Sequence, residues 1–581
     1  TWRLLLNLIS IDDPASRASF KEGRQTAFQN LHRYSSDREI WEEFLNADQY
    51  GLECVVAMRW LEETSKTSTQ DFDDLIAQME ARSERGQGLW SHGWLYTKEA
   101  IKGHKRLRAW PQPLEPNDPG IARSLLSTEE QKPLVTQLDP DALTRQKHGL
   151  EKQDEIYERA TWVTCWKMLR QGENWTKIRE WAEGRLEGWR AVSLCGSSVD
   201  DNAPKTRFPI DDGHTRLMNS RAHDSWRTAC AALTRSPNTD DFQRAVYSLL
   251  SGETDAASSV CRSWDDHLYV YFNSVVLQRY RGFCTQFQRK LSLSPNTPVS
   301  FTPEAPGHAD LQKFLVYLRG VERISGEARN PFRNIQAAIL SKGYDSFFPA
   351  LAQAVSQLSA DKYGKASIVP ELAHSPVDES FLIAADDEEA LRIATHTYIV
   401  ASSMTYARAD THFFEQASVI IAGYIATLEE KCLFDLIPLY VSLLPTEMAN
   451  SVFSKILIEI IDPAEKMQQV RLMRRYGIDV EAVLEVQWSW LSADVPTIDH
   501  SRDVTGYSRV VRRPDGLRAL VSPKTDLIGT SVADEDEKMI RSLEWFRAVD
   551  GQWDKICELG AWLYRKFFGM LCYSLFQFPA N

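Results

Sequence analysis

An apolar run of the roughly 20 residues that a membrane-spanning helix needs is missing from this sequence. Leu4-Leu5-Leu6 through Ile11 is too short, and it lacks the basic flank and cleavage site of a secretory signal. The nine cysteines include no C-x-x-C spacing, so neither a zinc ribbon nor a redox pair is indicated. Buried, reduced thiols of a nuclear or cytosolic protein are expected instead. Catalytic signatures are also wanting: there is no His-Glu-x-x-His and no Gly-x-Ser-x-Gly. Tyr363-Gly364-Lys365-Ala366-Ser367 has the look of a P-loop, but Ser359 stands where its first glycine belongs and Ala366 replaces the Ser/Thr. Gly86-Gln87-Gly88 is half of a dinucleotide fingerprint with no strand before it. Asp211-Asp212-Gly213-His214 reads as turn chemistry, and His396 and His412 stand alone on helices without the further ligands a metal needs. An excess of positive charge is lacking too. A net charge of −13 argues against a nucleic-acid-binding face over the whole chain. One local exception is Lys98, Lys102, Lys105, Arg106 and Arg108, read as a solvated helix face, with contact to an acidic partner or phosphate as the sharper alternative. No cofactor, metal or catalytic residue is predicted, and no enzyme.

What is present points to helices. The composition is globular, 43% hydrophobic and 25% charged, and the eighteen tryptophans supply large apolar anchors. Period-2 strands are absent, and apolar residues recur at helical spacing. Ala417, Ile420, Ile421, Tyr424 and Leu428 form one stripe; Ile178, Trp181, Ala182, Leu186 and Trp189 form another. Starts are marked by Ser36 with Glu39, by Asn330-Pro331, by Asp462-Pro463 with Glu465, and by Ser263 ahead of Trp264-Asp265-Asp266. The breaks are Gly196 to Gly213, Leu291 to Gly307, Asp361 to Ser380, and the long polar stretch Ala493 to Asp536, expected to be disordered. Roughly twenty helices with mostly short links are predicted, without a fixed period: an irregular helical stack.

One helix stands out as a partner-binding candidate. Around residues 155–170, Trp162, Cys165, Trp166 and Leu169 make one apolar stripe, and Ile156, Ala160 and Val163 make a second. A helix apolar on two sides is either buried on both or packs with one and meets a partner with the other. The Asp224 to Thr234 helix, with Trp226, Ala229, Ala232 and Leu233, could complete such a face.

Cys261-Arg262-Ser263-Trp264-Asp265-Asp266 resembles a segment of the nucleoporin 84 / nucleoporin 107 family. Other segments resemble it in the same chain order: Thr1-Trp2-Arg3-Leu4-Leu5, Glu39-Ile40-Trp41-Glu42-Glu43-Phe44-Leu45, Arg59-Trp60-Leu61, Leu138-Asp139-Pro140-Asp141-Ala142, Asp154-Glu155 and Glu187-Gly188-Trp189-Arg190. Arg329-Asn330-Pro331-Phe332-Arg333, Leu436-Ile437-Pro438-Leu439-Tyr440, Tyr476-Gly477-Ile478-Asp479 and Ser542-Leu543-Glu544-Trp545-Phe546 follow. Each is weak alone; their joint order is specific, and the wording is most like filamentous-fungal members.

The resemblance implies a structural scaffold subunit of the Y-shaped subcomplex of the nuclear pore, at the nuclear envelope, serving mRNA and protein transport. It implies an all-α, irregular α-helical solenoid of the ancestral coatomer element type. Residues 1–150 would be ascending trunk helices, 151–330 the crown, 331–492 returning trunk helices, 493–536 a disordered loop and 537–581 the start of a tail mostly absent from this chain. It further implies a nucleoporin 96-type (145C) partner at the crown, through Trp162, Cys165, Trp166, Leu169, Trp226 and Leu233. A nucleoporin 133-type partner would bind through the tail, with no direct nucleic-acid contact and no membrane insertion. The rival readings are a vesicle-coat scaffold and a helical enzyme without recognisable motif.

Overall fold

The structure is a computed structural model that describes residues 1–12, 14–67, 70–85, 92–109, 133–195, 224–236, 239–293, 299–373, 376–493, 510–512, 518–520 and 534–574. The Gly196–Gly213 break with its Asp-Asp-Gly-His run, the Gly86-Gln87-Gly88 half-fingerprint and most of 493–536 lie outside the described residues, as do the side chains of Arg106 and Arg108. Among the described residues the chain is all-α apart from one short ribbon. Twenty-seven α-helices are described. The excess over twenty comes from pieces too short to show periodicity, such as Ala142–Gln146, Ser325–Ala328 and Ile437–Val441. Two compact units divide after Lys342.

In the first unit the 28-residue helix Trp264–Leu291 packs against Gln49–Thr67. Its start is fixed as its sequence requires: Ser263 accepts from the Asp266 N–H and the Asp266 carboxylate reaches back, a reciprocal capping box. Ser36 with Glu39 forms a second. Asn330 and Asp462 cap helices that begin with proline. Along the same long helix, Tyr280 and Phe283 meet Trp41, Phe44, Phe28 and Phe301. The ring centroids lie 4.8 Å apart for Trp41–Tyr280 and 5.0 Å for Phe283–Phe301, edge-to-face pairs that add to area burial. The segments that carry the family resemblance meet in space. Arg333 makes two bonds to Asp265, at 2.7 and 2.9 Å, one to Glu327 at 2.9 Å, and lies 5.0 Å over the Trp264 ring. Arg170 takes Asp266 at 2.9 Å and the Leu61 carbonyl at 3.0 Å. Both aspartates of the Trp-Asp-Asp run are therefore spent on arginine pairs and a helix cap.

The stripe Ile178–Trp189 is not one helix. Trp175–Gly184 ends and Gly188–Cys195 begins anew. The Glu187 N–H bonds to the Ala182 carbonyl and the Leu186 N–H to that of Glu183, both at 2.9 Å, a Schellman ending. Leu186 occupies its left-handed position at φ 59°, and its side chain is 70% exposed rather than buried. Turning the chain here aims Glu187 inward, which the stripe could not reveal. Glycine is the residue such a position favours, so Leu186→Gly should stabilise the protein by about 0.5–1 kcal/mol. A higher urea midpoint at unchanged slope is the expected reading, and an unchanged or lower midpoint contradicts the assignment.

In the second unit Tyr344–Tyr363 packs on Thr411–Glu430, where a β-carbon on Gly423 would collide with Val355. Ala417, Ile420, Ile421, Tyr424 and Leu428 are all buried, as their spacing predicts. The region expected to be disordered contains the only strands among the described residues, Val510–Arg512 and Arg518–Leu520, paired antiparallel. Short aliphatic runs on either side of Pro514-Asp515-Gly516 account for the pair. Five cysteines are buried as expected, but Cys432 and Cys557 are exposed.

At the end of the Thr411–Glu430 helix, burial, with the Glu459 carboxylate adding to it, pushes Glu429 from 4.5 up to about 7. Glu429 therefore holds a proton in the folded state that it has lost in the unfolded one across this window. Stability falls as pH rises through the window, and the penalty is complete above it. Glu429→Gln should raise stability by about 1–2 kcal/mol near pH 8, discounted for partial solvent access, and change nothing near pH 4. Thermal melts at both pH values check this; equal gains at both would remove the carboxylate from the cause.

Candidate docking face

The doubly apolar helix is Lys152–Arg170, with acids in its first turn and bases in its last, as the helix dipole favours. Both of its stripes are covered by the first unit itself, except at Ile156, which is half-buried. Trp162, Cys165 and Trp166 have no exposed surface and Leu169 has 2%. Trp162 lies 5.5 Å from the Tyr247 ring, and the Leu169 carbonyl accepts the Tyr269 hydroxyl at 2.8 Å. These four residues pack inside the first unit. Neighbouring helices Gln70–Arg82 and Asp241–Ser251 fill the space that a partner would have taken. The Trp166 indole N–H is buried without an acceptor, and burial pushes the Cys165 thiol up to about 12, so that it is an inert core group.

A buried polar knot holds this helix in place. Glu158 accepts from Trp94 at 3.1 Å, from Trp162 at 2.9 Å and from Arg190 at 3.1 Å. Arg190 also bonds to Glu187 at 2.9 Å, and its guanidinium lies 4.5 Å from each of the Trp162 and Trp189 rings. Burial opposes the Arg190 charge, but Glu158 and Glu187 more than offset it, and its pKa lies above the ordinary value. One helix turn before Glu158, Asp154 pairs with Arg85 and accepts from the Thr97 N–H at 2.6 Å. Burial nevertheless raises the Asp154 pKa.

The outer wall lies on Gly188–Cys195 and Asp224–Thr234. Trp226 donates to the Ser193 carbonyl at 3.1 Å, tying the two helices together. Trp226 and Leu233 are half-buried, Ala229 and Ala232 are exposed, and Val192 is 71% exposed. Of the residues named from sequence, Trp226 and Leu233 thus reach the surface. Ile156, on the second stripe, borders a cleft of about 620 Å³ walled by Lys147, His148, Glu155, Arg159 and Asp240. Val192 escapes sequence reading because its helix is a single short piece.

A second apolar surface, also missed, lies in the other unit. Leu433, Leu436, Leu439 and Leu443 are 37–46% exposed, while Ile437, Val441 and Leu444 form the buried side. The signal was apolar residues on two faces, the same as in the Lys152–Arg170 helix.

The basic cluster lies on Leu95–Ala109, where Lys98, Lys102 and Lys105 are exposed and Lys102 pairs with Glu99 at 2.7 Å. His396 is used structurally: its Nδ1 lies 2.7 Å from the Arg392 carbonyl and its Nε2 3.1 Å from the Tyr440 hydroxyl. Among the described residues no group of three metal-ligating side chains converges and no helix is long and apolar enough to cross a membrane.

Stacked helices clamped by buried ion pairs define an irregular α-helical solenoid. The chain belongs to the nuclear pore protein 84 / 107 family, whose sequence model matches residues 1–571. It is 31% identical over 549 residues to nucleoporin NUP84 of Chaetomium thermophilum, covering 92% of this chain and 56% of that protein. It is 23% identical over 575 residues to nucleoporin nup107 of Schizosaccharomyces pombe, covering 98% of this chain and 59% of that one. Similarity to nuclear pore complex protein Nup107 of Homo sapiens is 24% over 283 residues. The chain thus spans a little over half the length of its fungal relatives.

Proposed function

We propose that this chain is a structural scaffold subunit of the Y-shaped nuclear pore subcomplex, located at the nuclear envelope and supporting mRNA and protein transport without chemistry of its own. The observation that carries this reading is the family match along residues 1–571. Residues 1–150 and 331–492 serve as the two courses of the trunk and 151–330 as the crown. The crown meets a nucleoporin 96-type subunit through the outer wall, with Trp226 and Leu233 at its centre and Val192 beside them. Trp162, Cys165, Trp166 and Leu169 support that wall from within. The nucleoporin 133-type contact is assigned to the tail that begins at Glu537. A vesicle-coat scaffold would share the helices, but the relatives named above are nuclear pore proteins.

The test is to tag the chain in cells, image it and purify its complexes. A rim at the nuclear envelope with co-purified Y-complex subunits is expected. Vesicular puncta with coat subunits would overturn the proposal.

A further inference from the structure

Leu433, Leu436, Leu439 and Leu443, each 37–46% exposed, form an apolar face on the turns and the short helix Ile437–Val441 that follow Thr411–Glu430. Two observations say what fits over it. First, the backbone beneath the face is closed. The N–H groups of these four leucines bond to the carbonyls of Leu428, Leu433, Leu436 and Tyr440 at 2.9–3.2 Å. An extended segment laid here would find none of these donors and would strand its own backbone groups. The cover must satisfy its N–H and C=O groups internally, as a helix does.

Second, the charge around the face is acidic. Residues 429–459 hold the acids Glu429, Glu430, Asp435, Glu447 and Glu459 against the bases Lys431 and Lys455. Both bases are engaged elsewhere: Lys431 pairs with Glu388, and Lys455 donates to the Ser367 carbonyl at 2.5 Å. Glu430 takes Lys362 at 2.6 Å. The other four acids pair with no base among the described residues, and Asp435 accepts only from the neutral Gln468 amide, at 2.7 Å. Glu429 is half-buried, and burial together with the Glu459 charge raises its pKa. Carboxylates held together and partly out of water favour a cation beside them. A second copy of the chain would bring the same acids, and a lipid phosphate or nucleic acid would add more negative charge.

We propose that this face docks an amphipathic, basic helix of a partner protein, its apolar side on the four leucines and its Lys or Arg side chains over Glu429, Asp435 and Glu459. Apolar contact supplies the affinity, and the acids reject acidic helices.

Fluorescence anisotropy with the 581-residue chain tests this using labelled, blocked helical peptides about five turns long. One carries Leu at helical spacing with Lys elsewhere, one has Glu for Lys, and one has Ser for Leu. The Leu/Lys peptide should bind, and the other two should bind at least about tenfold more weakly. L436S/L439S should weaken the Leu/Lys peptide about tenfold with a near-normal melting midpoint, because both side chains are exposed. D435K/E459K should exchange the preference, losing the Leu/Lys peptide and gaining the Leu/Glu one, and that gain also shows that the variant is folded. Leu/Lys binding unchanged in both variants would overturn the proposal. So would equal binding of the Glu peptide, equal binding of the Ser peptide, or no binding by any of them. Dimers in sedimentation that L436S/L439S abolishes would overturn it in favour of a second copy of this chain.

Discussion

Arg190→Ala should cost the first unit about 3–5 kcal/mol, because it leaves Glu158 and Glu187 as buried carboxylates with their common cation removed. Arg190 is fully buried and, among the described residues, is the only arginine bonded to both acids. Arg190→Lys restores charge without the planar fork and should recover only part of the stability. The control is Arg145→Ala, whose pairs with Asp139 and Asp141 are about half-exposed, and whose loss should cost under about 1 kcal/mol. Urea unfolding followed by tryptophan fluorescence reads these differences, since Trp162 and Trp189 flank the guanidinium. Equal, small losses for Arg190→Ala and Arg145→Ala would contradict the clamp.

Leu169→Asp should destabilise the first unit by at least about 4 kcal/mol, by removing a buried side chain and burying an unpaired charge in its place. Leu233→Asp puts the same charge on a half-buried helix face and should cost only about 1 kcal/mol. The contrast separates core from surface on two helices that look alike in sequence. Circular dichroism melts check it: a large drop in midpoint for Leu169→Asp and a small one for Leu233→Asp. A folded Leu169→Asp variant with a near-normal midpoint would return that stripe to the surface.

The fold was legible because helical signals are local. Caps at Ser36, Asn330, Asp462 and Ser263 are written in adjacent residues, and the stripe from Ala417 to Leu428 follows from the helical period alone. Which apolar face stays exposed was not legible. The Lys152–Arg170 helix and the Leu433–Leu444 segment both carry apolar residues on two sides, yet only the second leaves one side open. The difference lies in neighbours distant in sequence: Tyr247 and Tyr269 cover the first helix from two directions. The Ile178–Trp189 stripe failed for a related reason. Its break at Leu186 sits in a left-handed turn, which sequence signals only when the residue is glycine or asparagine. The Glu158–Arg190–Glu187 knot was beyond periodicity altogether, since a buried charge looks like a surface charge until its partner is placed.

The central claim, a docking scaffold whose crown meets a nucleoporin 96-type subunit through its outer wall, is tested most directly by calorimetric titration of that subunit into the 581-residue chain. Wild type should bind, and Leu233→Asp and Val192→Asp, each verified as folded, should weaken binding about 100-fold, as expected for charges placed in a desolvated contact. Unchanged affinity in both folded variants would contradict it.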